Sequence, residues 1–376
     1  MKRIHSLTGL RFLAASAVAL MHGFARYDLP VVNLGFLGVS FFFVLSGFVL
    51  TWAETTADGT VTFLRNRFAK LFPLNAATLA VAAIVPVAPN SSRLSFLQSL
   101  TLTQAWRPSS ASSFNAVAWS LSAEAFFYLL LPAMLRVMRR FNVRELVGTV
   151  VFLMVLQPVM GLVFQLTLGG GNDGWAAHFL TYDFPPYRMA EFVIGVALAL
   201  LLKAGHAPSR TSQLTAAAVT TAGIALTLLA DLSHLTLWWA SEALILPAII
   251  VLVWATARRE LEGRSCLLTH PRIVRLGDRS FSFYMVHYLV LGAVGLLVAQ
   301  GPQSLPWWLV PPALLSAAAV AALAYRFVEK PCERAIRDLF AVHRFGSTAP
   351  RPASEPPRPL EGQSAEVRVR LRGRNL

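Results

Sequence analysis

The first strongly apolar stretch of the chain is RFLAASAVALMH, from Arg11 to His22, and it has a basic residue at each end. A charged group inside a bilayer costs at least about 2.5–3.5 kcal/mol on insertion scales, so such residues usually face a cavity. Eleven residues turn a helix by about 1100°, roughly 20° more than three full turns, and advance it by about 16 Å. We therefore predict one helix that presents Arg11 and His22 on the same face. They are too far apart to touch one reacting atom, but they can contact the two ends of one long molecule.

The composition of the whole chain is that of a membrane protein. Of its 376 residues, 55% are hydrophobic and only 14% are charged, whereas soluble globular proteins carry about 25% charged residues. Apolar runs of about 17–25 residues, which are long enough to cross a bilayer, occur about ten times. We therefore predict an all-α polytopic membrane protein with about ten transmembrane helices, over residues 7–25, 33–52, 71–88, 114–135, 147–168, 187–203, 212–230, 236–256, 280–299 and 306–325.

The distribution of basic residues indicates the orientation of the chain. If the N-terminus lies in the cytosol, the cytosolic segments hold 28 of the 33 Lys and Arg residues, and the loops on the other side hold three. This asymmetry follows the positive-inside rule, and it predicts an even number of spans in the cytoplasmic (inner) membrane with both termini cytosolic. The net charge of +14 does not indicate nucleic acid as a partner, because the basic residues lie in short runs and no nucleic-acid-binding motif is present.

The last part of the chain differs in composition from the rest. From about residue 341 it is rich in Pro, Ser, Arg and Gly and poor in apolar residues. Such a segment cannot bury enough apolar surface to fold. We predict two parts, a transmembrane domain over residues 1–340 and a disordered basic cytosolic tail over residues 341–376.

Ionisable residues lie inside several predicted spans. Glu124 lies in the fourth span and His287 near the middle of the ninth. A carboxylate at that depth must be paired or neutral, and His287 is a candidate partner for it. The sequence leaves open whether Glu124 takes part in catalysis or only links two spans. The other charged residues within spans are Arg188, Glu191 and Glu242.

Two further patterns lie in the second and third predicted spans. The segment FLRNRFAKLFP places Arg65, Arg67 and Lys70 at the start of the third span. This cluster is typical of a positive-inside anchor, and it equally suits a pocket for a phosphorylated ligand that arrives from the cytosol. In the Phe-rich second span, the small residues Ser46 and Gly47 favour close packing against another helix.

Seven segments of the chain, in this order, resemble the bacterial integral-membrane acyltransferase family known as the acyltransferase three family. They are LTGLRFLAASAVALMH, VSFFFVLSGFVLT, RNRFAKLFPL, AWSLSAEAFFYLLLP, YRMAEFVIG, LGDRSFSFYMVHYLV and YRFVEKP, and they extend from residue 6 to about residue 335. Each motif alone is weak, whereas seven in register are specific. Three positions depart from the family's pattern, because Thr8 and Ala125 stand where acidic residues are usual, and Lys70 stands where an arginine is usual.

The resemblance implies about ten spans and an O-acyltransferase that moves an acyl group, usually acetyl, from acyl-coenzyme A to a hydroxyl. The implied acceptor is a carbohydrate: a sugar of a surface polysaccharide, a glycolipid, or a glycosylated natural product. The resemblance also implies that Arg11 and His22 are the key pair, and it points to no metal. Because no hydrolase-like segment follows the last span, we expect the chain to act alone on its acceptor.

The chemistry of acyl transfer assigns roles to the candidate residues. A histidine has the right unperturbed pKa to take the hydroxyl proton, so His22 is the expected base. Arg11 and Glu124 complete the expected catalytic set, and the phosphates of coenzyme A are expected to bind Arg65, Arg67 and Lys70. The residues expected to orient His22 or to bind the acceptor are His287, Trp119, Ser122, Tyr128 and Glu191.

Two other functions are compatible with a polytopic chain. In a transporter or flippase of a lipid-linked or small-molecule substrate, the charges within the spans would relay ions or substrate. That function predicts matching halves with broken helices, and the sequence has no internal symmetry. In a membrane sensor or scaffold, the tail would be the functional part, and its deletion would abolish function while leaving donor turnover intact.

Overall fold

A computed structural model describes residues 3–53, 59–88, 92–168, 175–206, 218, 221–225, 229, 238–264, 266–298 and 305–345. The chain divides into two compact units, Met1–Arg337 and Asp338–Leu376, and of the second only residues 338–345 are described. All regular structure in these ranges is helical, and they contain no strand. The predicted all-α fold is confirmed.

The helices of eight or more residues follow the apolar runs of the sequence. In the described ranges they are α1 His5–Gly23, α2 Leu37–Ala53, α3 Thr60–Ile84, α4 Arg93–Leu100, α5 Trp119–Met138, α6 Val143–Leu168, α7 Pro185–Lys203, α8 Trp238–Leu261, α9 Pro271–Asp278, α10 Ser280–Leu297, α11 Val310–Ala324 and α12 Lys330–Phe345. Prolines lie inside four of them, as membrane helices tolerate, at positions 73, 132, 158 and 247.

Eight helical segments in the described part of the chain are long and apolar enough to cross a bilayer. The chain is therefore a polytopic membrane protein, as predicted. The eight segments are Pro30–Ala53, Thr60–Ile84, Trp119–Met138, Val143–Leu168, Trp175–Lys203, Ala240–Leu261, Ser280–Leu297 and Val310–Leu339.

Some predicted boundaries differ from the structure. The first predicted span corresponds to α1, which is not among the eight segments and which carries His5, Arg11 and His22. The third helix begins at Thr60 rather than at residue 71, so the basic cluster lies within the helix and not before it. Most of the seventh predicted span, 212–230, lies outside the described residues, as does the predicted tail after Phe345, where α12 ends.

The helices α2 and α7 are in close contact. A Cβ atom built on Gly47 would lie 2.1 Å from the carbonyl oxygen of Phe192, and one built on Gly195 would lie 2.0 Å from that of Val44. Only glycine permits this approach, because real Cβ atoms do not come within 3.0 Å of such neighbours. The predicted packing role of Gly47 is confirmed. The contact holds the middle of α7 against the middle of α2.

Charged and close contacts fix the N-terminal end of α1. Glu260, near the end of α8, accepts hydrogen bonds from the backbone N–H groups of His5 and Ser6. These groups are among the four N–H groups that a helix leaves without partners at its start. Arg3 forms an ion pair with Asp278. These contacts hold the start of α1 against α8 and α9.

Candidate active site

A basic cavity lies at the N-terminal end of α1. It has a volume of about 440 Å³, and its lining includes the basic side chains of Arg3, Arg11, Lys70 and Lys330 together with one carboxylate, Asp278. We call it the Arg11 pocket. Arg3 pairs with that carboxylate, and Lys70 and Lys330 pair with Glu329 and Glu333, so among the described residues the pocket keeps the uncompensated positive charge of Arg11. It suits an anionic ligand.

Lys70 is held at the edge of the Arg11 pocket by a buried carboxylate. It forms an ion pair with Glu329, whose side chain is fully buried and which also accepts a hydrogen bond of 2.5 Å from Ser282. Glu329 ends a π-helical turn, Tyr325–Glu329, between α11 and α12. Single π turns inside helices often occur at functional sites, and this one brings Glu329 toward α3.

A smaller cavity continues from the Arg11 pocket into the bundle. It has a volume of about 70 Å³ and is lined by Arg11, Lys70, Arg67, Glu124 and Tyr128, among others. We call it the Glu124 pocket. Within it, the carboxylate of Glu124 accepts a hydrogen bond of 2.8 Å from Ser46.

Two arginines around these cavities lack partners. Neither Arg11 nor Arg67 forms a hydrogen bond or an ion pair with any described residue, and the Nε atom of each is buried without a hydrogen-bond partner there. A buried N–H group of this kind costs free energy unless a ligand or water satisfies it. Both guanidinium groups are therefore available to bind an anion.

A third cavity lies at the C-terminal end of α1. Its volume is about 290 Å³, and we call it the His22 pocket. The aromatic side chains on its lining include Trp119, Tyr182, Tyr284 and Tyr288. One carboxylate, Asp183, also lines it. The two ends of α1 therefore border pockets of different chemistry, one basic and one aromatic.

His22 contacts a second histidine from α10. Its Nδ1 lies 3.0 Å from the carbonyl oxygen of Val18 and 3.2 Å from Nε2 of His287, while Nδ1 of His287 lies 3.2 Å from the carbonyl oxygen of Phe283. Because a carbonyl oxygen can only accept, each Nδ1 carries its proton when both rings are neutral. Nε2 of His287 then accepts from His22, and the lone pair of His22 is on Nε2. This tautomer is the one that a general base needs, since its basic nitrogen is not used in the pair.

A buried charge cluster lies behind the His22 pocket. Arg188 is fully buried, forms ion pairs with Glu191 and Glu242, and donates a hydrogen bond of 2.8 Å to Ser40. Its guanidinium carbon also lies 5.4 Å from the ring centroid of Tyr182. The cluster joins α2, α7 and α8 and supports the aromatic wall of the pocket from outside.

The structure brings together part of the predicted site. Arg11, Glu124, Arg67, Lys70 and Tyr128 share the Glu124 pocket, and His22 shares the His22 pocket with Trp119 and contacts His287. Glu124 and His287, which the sequence suggested as a pair, have different partners, Ser46 and His22. Phe42, which lines the Glu124 pocket, contacts Tyr284 of the His22 pocket, with their ring centroids 5.8 Å apart.

Four predicted site residues line none of these three pockets, and one of them, His287, contacts His22 as described above. Arg65 hydrogen-bonds the side chain of Asn66, and Glu191 belongs to the Arg188 cluster. Ser122 is buried, and its Oγ has no hydrogen-bond partner among the described residues. The assigned roles of Arg65, Glu191 and Ser122 in binding stay predictions that the pocket geometry does not support.

Several residues of the pockets were not predicted from the sequence. Lys330 and Asp278 lie within motifs that carried the family resemblance, so a signal for them was present. His178, Tyr182 and Asp183 have no such signal, because they lie between predicted spans in a segment of mixed composition. That segment includes a π-helical turn, Phe179–Asp183, which brings it to the pocket.

The comparisons with known proteins decide the family. A family model described as an acyltransferase domain matches residues 4–326 of the chain. The chain belongs to the acyltransferase three family. It is therefore an acyltransferase, and the transporter and scaffold alternatives are set aside. The acyltransferase MdmB of Streptomyces mycarofaciens is 33% identical to this acyltransferase over 94% of the chain and 96% of its own length.

Two further relatives are O-acetyltransferases. OatA of Staphylococcus aureus, an O-acetyltransferase, is 23% identical over 87% of this chain, and OatA of Listeria monocytogenes, a peptidoglycan O-acetyltransferase, is 25% identical over 89% of it. This acyltransferase spans 57% and 56% of their respective lengths. No solved structure matches it. Within its described residues, no group of three or more His, Cys, Asp or Glu side chains is placed to hold a metal ion.

Proposed function

We propose that this acyltransferase moves an acetyl group from acetyl-coenzyme A to a hydroxyl of a carbohydrate or glycosylated acceptor. The observation that supports the proposal is the position of α1, which has a basic pocket at one end and, at the other, an aromatic pocket lined by the imidazole of His22. The related peptidoglycan O-acetyltransferase supports a carbohydrate acceptor.

The donor end of the site is the Arg11 pocket. Coenzyme A carries several phosphate charges on one end and a thioester on the other, joined by a long flexible arm. Arg11 and Arg67 have donors without partners, and guanidinium groups bind phosphate in two-point geometry. The predicted cytosolic position of this end of α1 would give the pocket access to the cellular supply of acyl-coenzyme A.

The acceptor end is the His22 pocket. Flat aromatic side chains and a few polar groups suit the faces and hydroxyls of a sugar ring, and the volume of about 290 Å³ leaves room for one ring. The distance of about 16 Å along the helix between Arg11 and His22 is comparable to the length of the pantetheine arm. A donor held at Arg11 would therefore bring its thioester to His22.

The reaction needs one proton acceptor and a close approach of the two substrates. Nε2 of His22 takes the proton of the acceptor hydroxyl while the hydroxyl oxygen attacks the carbonyl carbon of the thioester. The tetrahedral intermediate then collapses, the carbon–sulfur bond breaks, and the thiolate of coenzyme A takes the proton back from His22. General base catalysis supplies a factor of about 10²–10⁴, and holding both substrates in place supplies much of the rest.

The thioester must pass the ring of Phe42 to reach His22. This ring is only half-buried and lies between the Glu124 pocket and Tyr284 of the His22 pocket. In the proposed cycle it turns aside when the donor arm enters. Phe42 would otherwise keep the two pockets separate, which limits the access of water to the thioester.

The proposal is tested by acetyl transfer from labelled acetyl-coenzyme A with the full chain in lipid nanodiscs. We expect His22→Gln to lower the rate by about 10²–10⁴. His206→Gln is the matched control, because His206 is exposed and lines none of the three pockets. A rate for His22→Gln within threefold of the parent protein would refute the role of His22.

The donor is tested separately by coenzyme A binding. We expect Arg11→Ala to weaken binding by about tenfold or more, since a hydrogen bond to a charged group contributes about 1.5–3 kcal/mol. Arg144→Ala, on the exposed start of α6, is the control. Equal affinity of both variants would show that the Arg11 pocket does not bind this donor.

A further inference from the structure

The two larger pockets of the site have opposite charge. The lining of the Arg11 pocket includes four basic side chains, whereas that of the His22 pocket includes no Lys or Arg and has one carboxylate, Asp183. A pocket with a single buried carboxylate and neither Lys nor Arg in its lining does not suit an anionic acceptor. It suits a ligand that brings a positive charge.

Within the described part of the chain, no close polar contact compensates the charge of Asp183. Its side chain is buried, with 8% of its surface exposed, and it forms no hydrogen bond or ion pair with any described residue. The nearest cation, Arg188, is already bound by Glu191 and Glu242. These three carboxylates face one guanidinium group, and burying an unpaired carboxylate is costly. A cation in the pocket would remove this cost.

The surroundings of Asp183 also fit a cation. Tyr182, the preceding residue, lies with its ring centroid 4.9 Å from that of Trp119, and both rings line the pocket. Tyr284 and Tyr288 line it as well. An ammonium group within about 6 Å of such rings is attracted to their faces. Aromatic side chains beside a carboxylate form a site that recognises alkylated or free ammonium groups.

We propose that the acceptor of this acyltransferase carries a protonated amine, as an amino sugar does, and that Asp183 binds this amine by an ion pair within the aromatic wall of the His22 pocket. The proposal rests on the proposed function, because it takes the His22 pocket as the acceptor site. Asp183 is then a specificity-determining residue. It selects the acceptor and fixes the distance of its hydroxyl from His22.

The test compares two acceptors that differ in one charge. The full chain in lipid nanodiscs is given labelled acetyl-coenzyme A and either an alkyl glycoside of a dimethylamino sugar or the neutral N-acetyl glycoside of the same length. The tertiary amine is chosen because it forms no stable amide, so the label reports only transfer to oxygen. The variants are Asp183→Asn, which keeps the shape, and Asp183→Glu, which keeps the charge. Asp28→Asn is the control, since Asp28 is exposed and lies outside the pocket.

We expect the parent protein to favour the amine acceptor in kcat/KM by about tenfold or more, as for an ion-paired hydrogen bond. Asp183→Asn should remove this preference with less than a threefold change for the neutral acceptor, while Asp183→Glu and Asp28→Asn keep it. Equal loss on both acceptors, or a parent preference for the neutral one, would overturn the proposal. If Asp183→Asn does not fold, the test uses the parent protein and Asp183→Glu alone. Both must then favour the amine acceptor over the neutral one in kcat/KM.

Binding separates this proposal from the proposed function. Quenching of tryptophan fluorescence by the amine glycoside, in the absence of any donor, reports occupancy of the pocket beside Trp119. Tighter binding by the parent protein than by Asp183→Asn, without acetyl transfer to either glycoside, would support the amine site and count against the acetyl transfer. Equal binding by the two proteins would overturn the amine site whether or not transfer occurs.

Discussion

The contact between α2 and α7 gives a prediction whose size follows from the structure. The change is Gly47→Ala, which adds one methyl group where the two helices are in close contact. The new Cβ would lie 2.1 Å from the carbonyl oxygen of Phe192, and it needs 3.4 Å for an ordinary contact. The neighbour is backbone and cannot rotate away, so the helices must separate by about 1.3 Å.

This separation has two costs. Overpacking of a well-packed core destabilises a protein by about 1–3 kcal/mol. The hydrogen bond from Arg188 on α7 to Ser40 on α2 is 2.8 Å long, and it would lengthen beyond bonding distance, which costs about 1.5–3 kcal/mol for a charged donor. We expect Gly47→Ala to lower the free energy of unfolding by about 3 kcal/mol or more.

The measurement is unfolding of the full chain by sodium dodecyl sulfate in mixed micelles. Gly148→Ala on α6 is the matched control, because a Cβ at Gly148 meets nothing within 4 Å. It should leave the protein as stable as before or about 0.5–1 kcal/mol more stable, since alanine favours the helix. If Gly47→Ala and Gly148→Ala unfold at the same detergent concentration, the two helices are not in the close contact described here.

Two further predictions concern the histidine pair and the buried charge cluster. His287→Phe removes the imidazole that accepts a hydrogen bond from His22, so kcat should fall about tenfold while the KM for the donor stays unchanged. His287→Gln should recover part of the lost kcat. A raised KM with full kcat would instead indicate that His287 binds substrate. Arg188→Met should cost about 3–5 kcal/mol of unfolding free energy because it leaves two buried carboxylates unpaired, and the triple variant with Glu191→Gln and Glu242→Gln should regain most of that loss. A triple variant no more stable than Arg188→Met would contradict this explanation.

The part of the site that lies on one helix could be predicted from the sequence. Arg11 and His22 are related by a fixed number of residues, and the geometry of the α-helix places them on one face at a known separation. The structure places them beside two pockets at opposite ends of α1. Glu124 could be singled out because lipid does not tolerate charge, and Lys70 because it belongs to the basic cluster at the start of the third predicted span; the structure brings both to one cavity.

The part that joins different helices could not be predicted. The sequence suggested Glu124 and His287 as partners because both lie at mid-depth in their spans. Depth along a helix says nothing of its rotation or of which neighbours it has, and the structure pairs Glu124 with Ser46 and His287 with His22. The same holds for the pair of Arg188 on α7 with Glu242 on α8.

By itself the sequence determined that this protein lies in a membrane, because too few charged residues are present to cover a soluble core. It also determined that Arg11 and His22 share one face of the first helix, because that depends only on the helical repeat. Only the tertiary structure decided which pocket is basic, which is aromatic, and which carboxylate is left without a partner. These features depend on side chains that come from distant segments, such as Asp183 and His22. The distance between such side chains is set by the packing of whole helices against one another, and it cannot be predicted from a local pattern of residues.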